Sequence, residues 1–593
     1  MQKQVFKQED WNLKDLLKTH KGKEFDNYLK QIEKDVEKFE SLKKELNENI
    51  SSKKLSDIIK FLEKIECDSS KVEAYYKLWF SVETKSQEAR AFKDRMEKYL
   101  TELGNKMLFF SLWFKALDDK NAERLIKSAE QYSYFLEKLR LTKDFTLTEN
   151  EEKIINIKDV TGNRALLSLY TMVTSSFKFE FKINNEIKTL NESQLSSYAY
   201  NPDPKLRAQA YQVMFKNYEK NKDVLGEIYK NVISNYINEY VKLRKYKSSI
   251  SRRNLGNNIS DKAVETMLNV CKKNIKIFQR FFKLKAKLLN VKKLNRYDIS
   301  APLSDSEENY SYNDAVNLVI NCYTSFSPEL ANLALKIINE KHIHSKLSDS
   351  KRGGAYCLDA MPGITPYVFL NYDGKAKDVI TLAHELGHGV HGLLAHSNTA
   401  LTYYPPLILA ETASIFGEMI VTDKLLTEEK NNKEKQALIE SKIKDMYGSI
   451  IRQAYFTLFE LEAHKAIENG VTVDGLSEMW LNNLKEQFGD SVEVPEEFKY
   501  EWLRVPHIYE SPFYCYAYSL GNLLVLALYQ MYKTEGKSFV PKYLKFLSYG
   551  GSKKPEEICK ELGIDLSSEK FWQKGFDVIN EMIDEFENVT KKN

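Results

Sequence analysis

Residues 378–396 read DVITLAHELGHGVHGLLAH, and the rest of the chain is organised around this stretch. It contains His384, Glu385 and His388 in the pattern His-Glu-x-x-His. Apolar residues fill most of the other positions, which predicts a buried helix. Side chains four residues apart in a helix lie on one face, one turn apart. The two imidazoles can therefore bind one zinc ion, with Glu385 at the neighbouring edge of that face.

Two histidines leave a catalytic zinc ion short of a protein ligand, since such ions usually have three protein ligands and a water molecule. Glu411, in the stretch LILAETASIFGEM, is the best candidate for the third. Glu418 follows two helical turns later on the same face. It either orients a ligand histidine or forms an ordinary ion pair. His391 lies about two turns from His384, and direct ligation by it is disfavoured.

Composition limits the classes of function. The 593 residues carry a net charge of +4, with 29% charged and 42% hydrophobic residues, which is typical of a soluble globular protein. Basic and acidic residues alternate, so no nucleic-acid footprint is predicted. No apolar run is long enough to span a bilayer, and the N-terminus lacks a signal-peptide core. The six cysteines are scattered, which favours reduced thiols and a cytoplasmic location.

The order of patterns along the chain suggests two parts. Residues 11–140 show apolar positions at three- and four-residue spacing, which predicts long amphipathic helices. Phe177, Phe179 and Phe181 then alternate with polar residues, which predicts a hairpin. An approximate boundary is predicted near residue 195, between a helical N-terminal lobe (1–195) and a catalytic domain (196–593).

Two further segments stand out. The Gly- and Pro-rich stretch 342–374 contains YVFLNY, which predicts a small sheet just before the zinc helix. Such a sheet either offers an edge to an extended peptide or is ordinary scaffold. The segment WLRVPHIYESPFYCYAYSLG concentrates His507 and several tyrosines. Dense tyrosines often just pack, but beside a zinc ion they could donate hydrogen bonds to a developing oxyanion.

Several ordered motifs together resemble those of the M3 family of zinc metallopeptidases, in its oligoendopeptidase F branch. They are KRGGAYC (351–357), HELGHGVH (384–391), AETASIFGE (410–418), RVPHIYESPFYCYAYSLG (504–521) and GGSKKP (550–555). The resemblance implies a mainly α-helical, two-lobed ellipsoid around a deep substrate channel, with a small β-sheet next to the zinc helix. It also implies cleavage of internal bonds in short peptides, because entry to the channel is restricted.

The resemblance also implies roles for individual residues. One Zn²⁺ per chain is bound by His384, His388 and Glu411, and Glu385 is the general base for a metal-activated water. The residues that contact the substrate and the transition state are His507, Tyr509 and Tyr516, with Tyr514 as the alternative to Tyr516.

Two other functions remain open at this stage. A zinc carboxypeptidase of related helical fold would share the His-Glu-x-x-His pattern and the distal glutamate. A non-catalytic peptide-binding protein is disfavoured because it has no evident use for Glu385. Each reading has short peptides as partners, with neither nucleic acid nor membrane, and a monomer is compatible with all of them.

Overall fold

A computed structural model of the chain describes residues 5–184, 186–303 and 309–592, and most of these residues are helical. In chain order the first helices are α1 (Gly22–Ser41), α2 (Ser52–Val82), α3 (Gln87–Ala116), α4 (Asp119–Ser128), α5 (Ser133–Arg140), α6 (Glu149–Thr161), α7 (Asn163–Ser175), α8 (Glu192–Ser197), α9 (Pro204–Lys220), α10 (Lys222–Tyr236), α11 (Ser249–Gly256), α12 (Asp261–Lys273) and α13 (Ile275–Leu288). The remaining helices are α14 (Tyr312–Phe326), α15 (Pro328–Asn339), α16 (Ala376–Leu394), α17 (Leu407–Ala410), α18 (Thr412–Glu428), α19 (Asn432–Met446), α20 (Arg452–Glu468), α21 (Val473–Phe488), α22 (Pro506–Glu510), α23 (Tyr516–Glu535), α24 (Phe539–Ser548), α25 (Pro555–Glu561) and α26 (Glu569–Lys592). The prediction of a mainly α fold is confirmed.

The strands are few and short. They are β1 (Phe179–Ile183), β2 (Glu186–Leu190), β3 (Leu294–Asn295), β4 (Ile343–His344), β5 (Tyr356–Leu358), β6 (Tyr367–Phe369) and β7 (Val492–Glu493). β1 and β2 form the predicted antiparallel hairpin, and β3 pairs with β7 in parallel. The third sheet has the order β4-β6-β5, with β4 parallel and β5 antiparallel to β6. It comes from the predicted Gly- and Pro-rich stretch before α16.

The chain forms two compact units, each built from three segments. The first contains residues 1–144, 307–427 and 531–564, and the second contains 145–306, 428–530 and 565–593. Each unit therefore takes residues from widely separated parts of the sequence. The division predicted at residue 195 stays a prediction.

In the first unit, the N-terminal helices pack around an apolar core as the sequence predicts. Phe25, Ile32, Val36 and Phe39 of α1 are buried and recur at helical spacing along one face. Side-chain caps fix the starts of the next helices: Ser51 accepts a hydrogen bond from the Lys54 amide before α2, and similar caps precede α3 and α4. The rest of this unit holds the β4-β6-β5 sheet, α14 to α18, α24 and α25.

The second unit has its own aromatic core. The rings of Trp480 and Phe459 pack edge to face with their centroids 4.9 Å apart, and the indole N–H of Trp502 donates to Ser477 at 3.2 Å. The buried guanidinium of Arg296 lies 2.8 Å from Glu501. Such a fully buried charge is tolerated because it is paired.

No helix in the described part of the chain is both long enough and apolar enough to cross a membrane. All six cysteines are free thiols, and four of them are buried.

Candidate metal centre

α16 holds His384 and His388 on one face, and the two Nε2 atoms lie 3.1 Å apart. The start of the helix is fixed by Asp378, whose carboxylate accepts hydrogen bonds from the amides of Asp373 and Lys375. The body of α16 is buried on most sides, as its apolar sequence predicts. The positions of the two imidazoles are therefore set by a rigid, well-packed element.

Glu411 occupies the break between α17 and α18, where it ends the first short helix. Its Oε2 atom lies 3.3 Å from Nε2 of His384 and 3.4 Å from Nε2 of His388. The same oxygen accepts a hydrogen bond of 2.8 Å from the hydroxyl of Ser414. The structure thus brings together the three side chains that the sequence analysis named as metal ligands.

Two glycines let the backbones of α16 and α18 approach closely enough for this contact. A Cβ atom at Gly387 would lie 2.6 Å from the carbonyl oxygen of Ala413 and 2.7 Å from the Cα of Ser414. A Cβ at Gly417 would lie 2.4 Å from the hydroxyl of Tyr323, which donates to the Ala383 carbonyl at 2.6 Å. Because neither glycine has a side chain, α18 packs close against α16, and Glu411 comes within reach of the two histidines.

We expect a Gly387→Ala substitution to reduce the stability of the protein by about 1–3 kcal/mol, because the added methyl group meets backbone that cannot move aside. It should also weaken metal binding by moving α18 away from α16. Thermal unfolding and metal titration would measure both effects. Gly104→Ala in α3 is the matched control, since nothing lies within 4 Å of its added methyl group. Equal stability of the two variants would contradict the close-packing argument.

Glu418 contacts His384 at the ring nitrogen that does not face the other ligands. Its Oε1 atom lies 2.5 Å from Nδ1 of His384. The Nδ1–H group therefore donates to this carboxylate, which leaves the Nε2 lone pair directed towards His388 and Glu411. This contact is the one that the orienting role of Glu418 requires, and that role stays a prediction.

The ligand distances fit a divalent ion. Two atoms bound tetrahedrally to zinc at about 2.0–2.1 Å are about 3.3–3.4 Å apart, and the three observed separations are 3.1, 3.3 and 3.4 Å.

The charges of the side chains around the site also favour a bound cation. Burial alone would lower the pKa of His384, but hydrogen bonds with Glu411 and Glu418 raise it to about 10. Burial would raise the pKa of Glu411, but the two histidines lower it to about 2. The carboxylates of Glu411 and Glu418 thus favour a positive charge at Nε2 of His384, which either a proton on that nitrogen or a divalent ion in its place supplies.

Glu385 lies beside these ligands in a cavity of about 400 Å³ that is also lined by His384, His388 and Glu411. The residue is 5% exposed, and its Oε2 atom has no hydrogen-bond partner among the described residues. Burial raises the pKa of its carboxyl group to about 7. A carboxylate of this kind can both accept and return a proton near neutral pH.

His391 also lines the cavity, and burial lowers its pKa to about 4. It is not one of the three side chains whose ligand atoms converge. Asp359, which belongs to none of the motifs identified in the sequence, borders the same cavity. Burial raises its pKa to about 7, and its Oδ1 atom has no hydrogen-bond partner in the described part of the chain. Its place two residues after the KRGGAYC motif was the available signal.

The remaining predicted site residues belong to the second unit. Tyr509 is buried, stacks on Tyr170 at 4.1 Å, and its hydroxyl points at the Leu225 carbonyl 3.4 Å away. Tyr516 is also buried, and its hydroxyl accepts a hydrogen bond of 2.8 Å from the amide of Asn257. The burial of these two tyrosines does not support direct contact with a substrate.

His507 and Tyr514 differ from the buried tyrosines in their accessibility. His507 is exposed and Tyr514 is half-buried, and their rings lie nearly parallel with centroids 6.2 Å apart. His507 also lines a cavity of about 500 Å³ within the second unit. Tyr514, the alternative to Tyr516, is thus the more accessible of the two.

Comparison with known proteins places this site in a family. Residues 197–578 match Peptidase family M3, and residues 113–179 match Oligopeptidase F. The chain is 27% identical to an oligoendopeptidase F homolog of Borreliella burgdorferi, over 94% of each chain. It is 23% identical to oligopeptidase PepF of Bacillus subtilis, over 85% of this chain and 76% of the relative.

Solved structures share the fold. A crystal structure from Chlamydophila abortus superposes with a TM-score of 0.88 at 25% identity, over 98% of both chains. The oligoendopeptidase-F of Enterococcus faecium gives a TM-score of 0.71 at 20% identity, over 96% of this chain and 99% of the other. Since the match to the family profile covers well over half of the sequence, this chain belongs to peptidase family M3.

Proposed function

We propose that the chain is a zinc-dependent endopeptidase that hydrolyses internal bonds of short oligopeptides in the cytoplasm, with one catalytic zinc ion per chain. The observation that carries the proposal is the convergence of His384, His388 and Glu411, whose ligand atoms lie 3.1–3.4 Å apart. The names of the relatives, oligoendopeptidase F and oligopeptidase PepF, support peptides as the substrate class. Residues 196–593 are proposed to carry the catalytic activity.

The residues around this centre have separate tasks. His384, His388 and Glu411 would hold the ion, which when bound supplies Lewis acidity and lowers the pKa of water. Glu385 accepts the proton of the attacking water and delivers it to the leaving amine. Glu418 keeps the Nε2 lone pair of His384 directed at the site.

The edge of the third sheet supports the binding of an extended peptide. β5 is an edge strand in the order β4-β6-β5. Tyr356 and Cys357 of this strand line the same cavity as Glu385. An extended substrate can add to such an edge through backbone hydrogen bonds, which bind any sequence and place a peptide bond near the base. Of the two readings of this sheet, the position of β5 favours the substrate-binding one.

His507 and one tyrosine are proposed to stabilise the charge that develops on the scissile carbonyl oxygen. Accessibility favours Tyr514 over Tyr509 and Tyr516 for this task. We expect Tyr514→Phe to lower kcat by about 100-fold or more, because a hydrogen bond made in the transition state is lost. Tyr516→Phe should instead reduce stability by about 1 kcal/mol, through the lost hydrogen bond from Asn257, and leave kcat nearly unchanged. Steady-state kinetics and thermal unfolding of both variants would check this, and the reverse pattern would assign the role to Tyr516.

A zinc carboxypeptidase is the main rival. Peptides labelled at either end would separate the two activities. Internal cuts that release both labelled ends in larger fragments support the endopeptidase, whereas stepwise loss of single residues from the C-terminus supports the exopeptidase. A pure peptide-binding protein would leave both labels in place.

A further inference from the structure

Outside the catalytic centre, the side chains of Asp15, Glu340 and His342 converge in the first unit. One ligand atom from each lies within 4.8 Å of the other two. We propose that these three residues form a second site for a divalent first-row metal ion, which ties the N-terminal segment to the end of α15 and the start of β4. The proposal does not depend on the catalytic role proposed above.

The backbone brings the three residues together through a sharp turn. Lys341, between Glu340 and His342, adopts the left-handed conformation with φ 60°, which ends α15 and reverses the chain towards β4. The Asn12 amide donates to the Lys341 carbonyl at 2.9 Å. The Tyr367 hydroxyl donates to the Asn12 carbonyl at 3.0 Å. These contacts place the turn containing Asp15 against His342.

The burial and hydrogen bonding of the His342 ring are the observations that indicate a bound cation. Its ring is fully buried and stacks on Tyr367 with centroids 3.9 Å apart. Nδ1 lies 2.9 Å from the Thr365 carbonyl, which can only accept, so Nδ1 carries a proton. In the neutral ring the Nε2 lone pair then faces outward. This tautomer is the one used by metal-bound histidines.

That lone pair faces a second acceptor. Nε2 of His342 has no hydrogen-bond partner among the described residues, and the nearest carboxylate oxygen, Oδ2 of Asp15, is 3.3 Å away. Two acceptors at this distance repel each other unless a proton or a metal ion lies between them. A metal ion leaves the imidazole neutral.

Glu340 favours the metal ion over the proton. Its carboxylate converges on the same point, so two negative groups approach each other there. The nearest ammonium group, that of Lys336, lies 4.0 Å from Glu340. Among the described residues, the ion pairs of Asp15 are limited to the contact with His342. One proton on His342 would balance only one of the two carboxylates, whereas a divalent ion balances both.

The ligand set selects the chemical class. One imidazole and two carboxylates suit Zn²⁺, Mn²⁺ or Co²⁺. The 3.3 Å separation of His342 and Asp15 matches the spacing of ligands in the catalytic centre. The side chains of Asp15 and Glu340 are 55% and 40% exposed, so they can adjust by small rotations and leave positions open for water.

The test uses the full chain with His384 and His388 both replaced by Gln, so that the catalytic site no longer binds metal. The protein is stripped with a chelator and titrated with Co²⁺ and Zn²⁺, and bound metal is measured by elemental analysis. We expect one equivalent to bind, and Asp15→Asn to weaken its binding at least tenfold. Glu9→Gln is the matched control, because Glu9 is a nearby acid paired with Lys341 at 2.9 Å, and it should keep the wild-type affinity.

Hydrogen exchange gives a second readout that is independent of catalysis. Added zinc should slow exchange in the peptide containing residues 11–18, and Asp15→Asn or His342→Gln should abolish this protection. Binding of no metal by the His384/His388 double variant would overturn the proposal. So would equal metal binding by the Asp15 and Glu9 variants, which would show that Asp15 is not a ligand.

Discussion

Replacement of Glu385 by Gln is expected to lower kcat for peptide hydrolysis by about 10²–10⁴-fold while the protein keeps its metal. Glu385 is buried in the same cavity as the metal ligands but is not one of the converging groups. The amide has nearly the same shape as the carboxylate, so the packing of α16 should survive. An amide cannot accept the proton of the attacking water, and loss of a general base typically costs this much.

Steady-state kinetics and metal analysis on the same preparation would measure the effect of Glu385→Gln. Glu329→Gln, at an exposed position at the start of α15, is the control for a change of charge alone. Near wild-type turnover in the Glu385 variant would refute the assignment of the base. Loss of metal in that variant would show that Glu385 helps to hold the ion.

Replacement of Glu411 by Gln should have the second large effect, by weakening metal binding. The carboxylate is the one anionic group of the three, and its Oε2 atom lies within 3.4 Å of both ligand nitrogens. A neutral amide oxygen is a much poorer ligand for a divalent ion. We expect at least a 100-fold loss of zinc affinity, with activity recovered only at high zinc concentration.

Glu418→Gln is the informative comparison for Glu411→Gln, because it changes the group behind His384 rather than a ligand. A partner of this kind typically contributes 10–100-fold to metal affinity, so the Glu418 variant should be the milder of the two. Competition between each variant and a zinc-sensitive dye would rank the affinities. A Glu411 variant that binds zinc as tightly as the wild type would remove Glu411 from the ligand set.

The sequence predicted the local parts of the site and the helical nature of the chain. His384, Glu385 and His388 lie within two helical turns, so their geometry follows from the helix itself. The amphipathic N-terminal helices and the short hairpin also follow from local periodicity, and the structure confirms both. Glu411 needed an argument about missing ligands, because its approach to α16 depends on the packing at Gly387 and Gly417.

Other features could not be read from the sequence because they depend on tertiary packing. Tyr514 and Tyr516 lie two residues apart in a tyrosine-rich stretch, and no local pattern shows which of the two is buried. The two compact units combine distant segments of the chain, and no local pattern in the sequence shows which segments come together. Asp15 and His342 meet through a turn, one backbone hydrogen bond and one hydrogen bond from the Tyr367 hydroxyl, and neither residue belongs to a recognisable motif.

Mass spectrometry of an oligopeptide mixture, digested by native, chelated and zinc-restored enzyme, tests the central claim most directly. We expect internal cuts with the native enzyme, no cuts after chelation, and the same internal cuts after zinc is restored. The His388→Gln variant should show no recovery under the conditions that restore the wild type. Internal cleavage that persists through chelation, or that the His388 variant retains, would contradict a mechanism based on His384, His388 and Glu411.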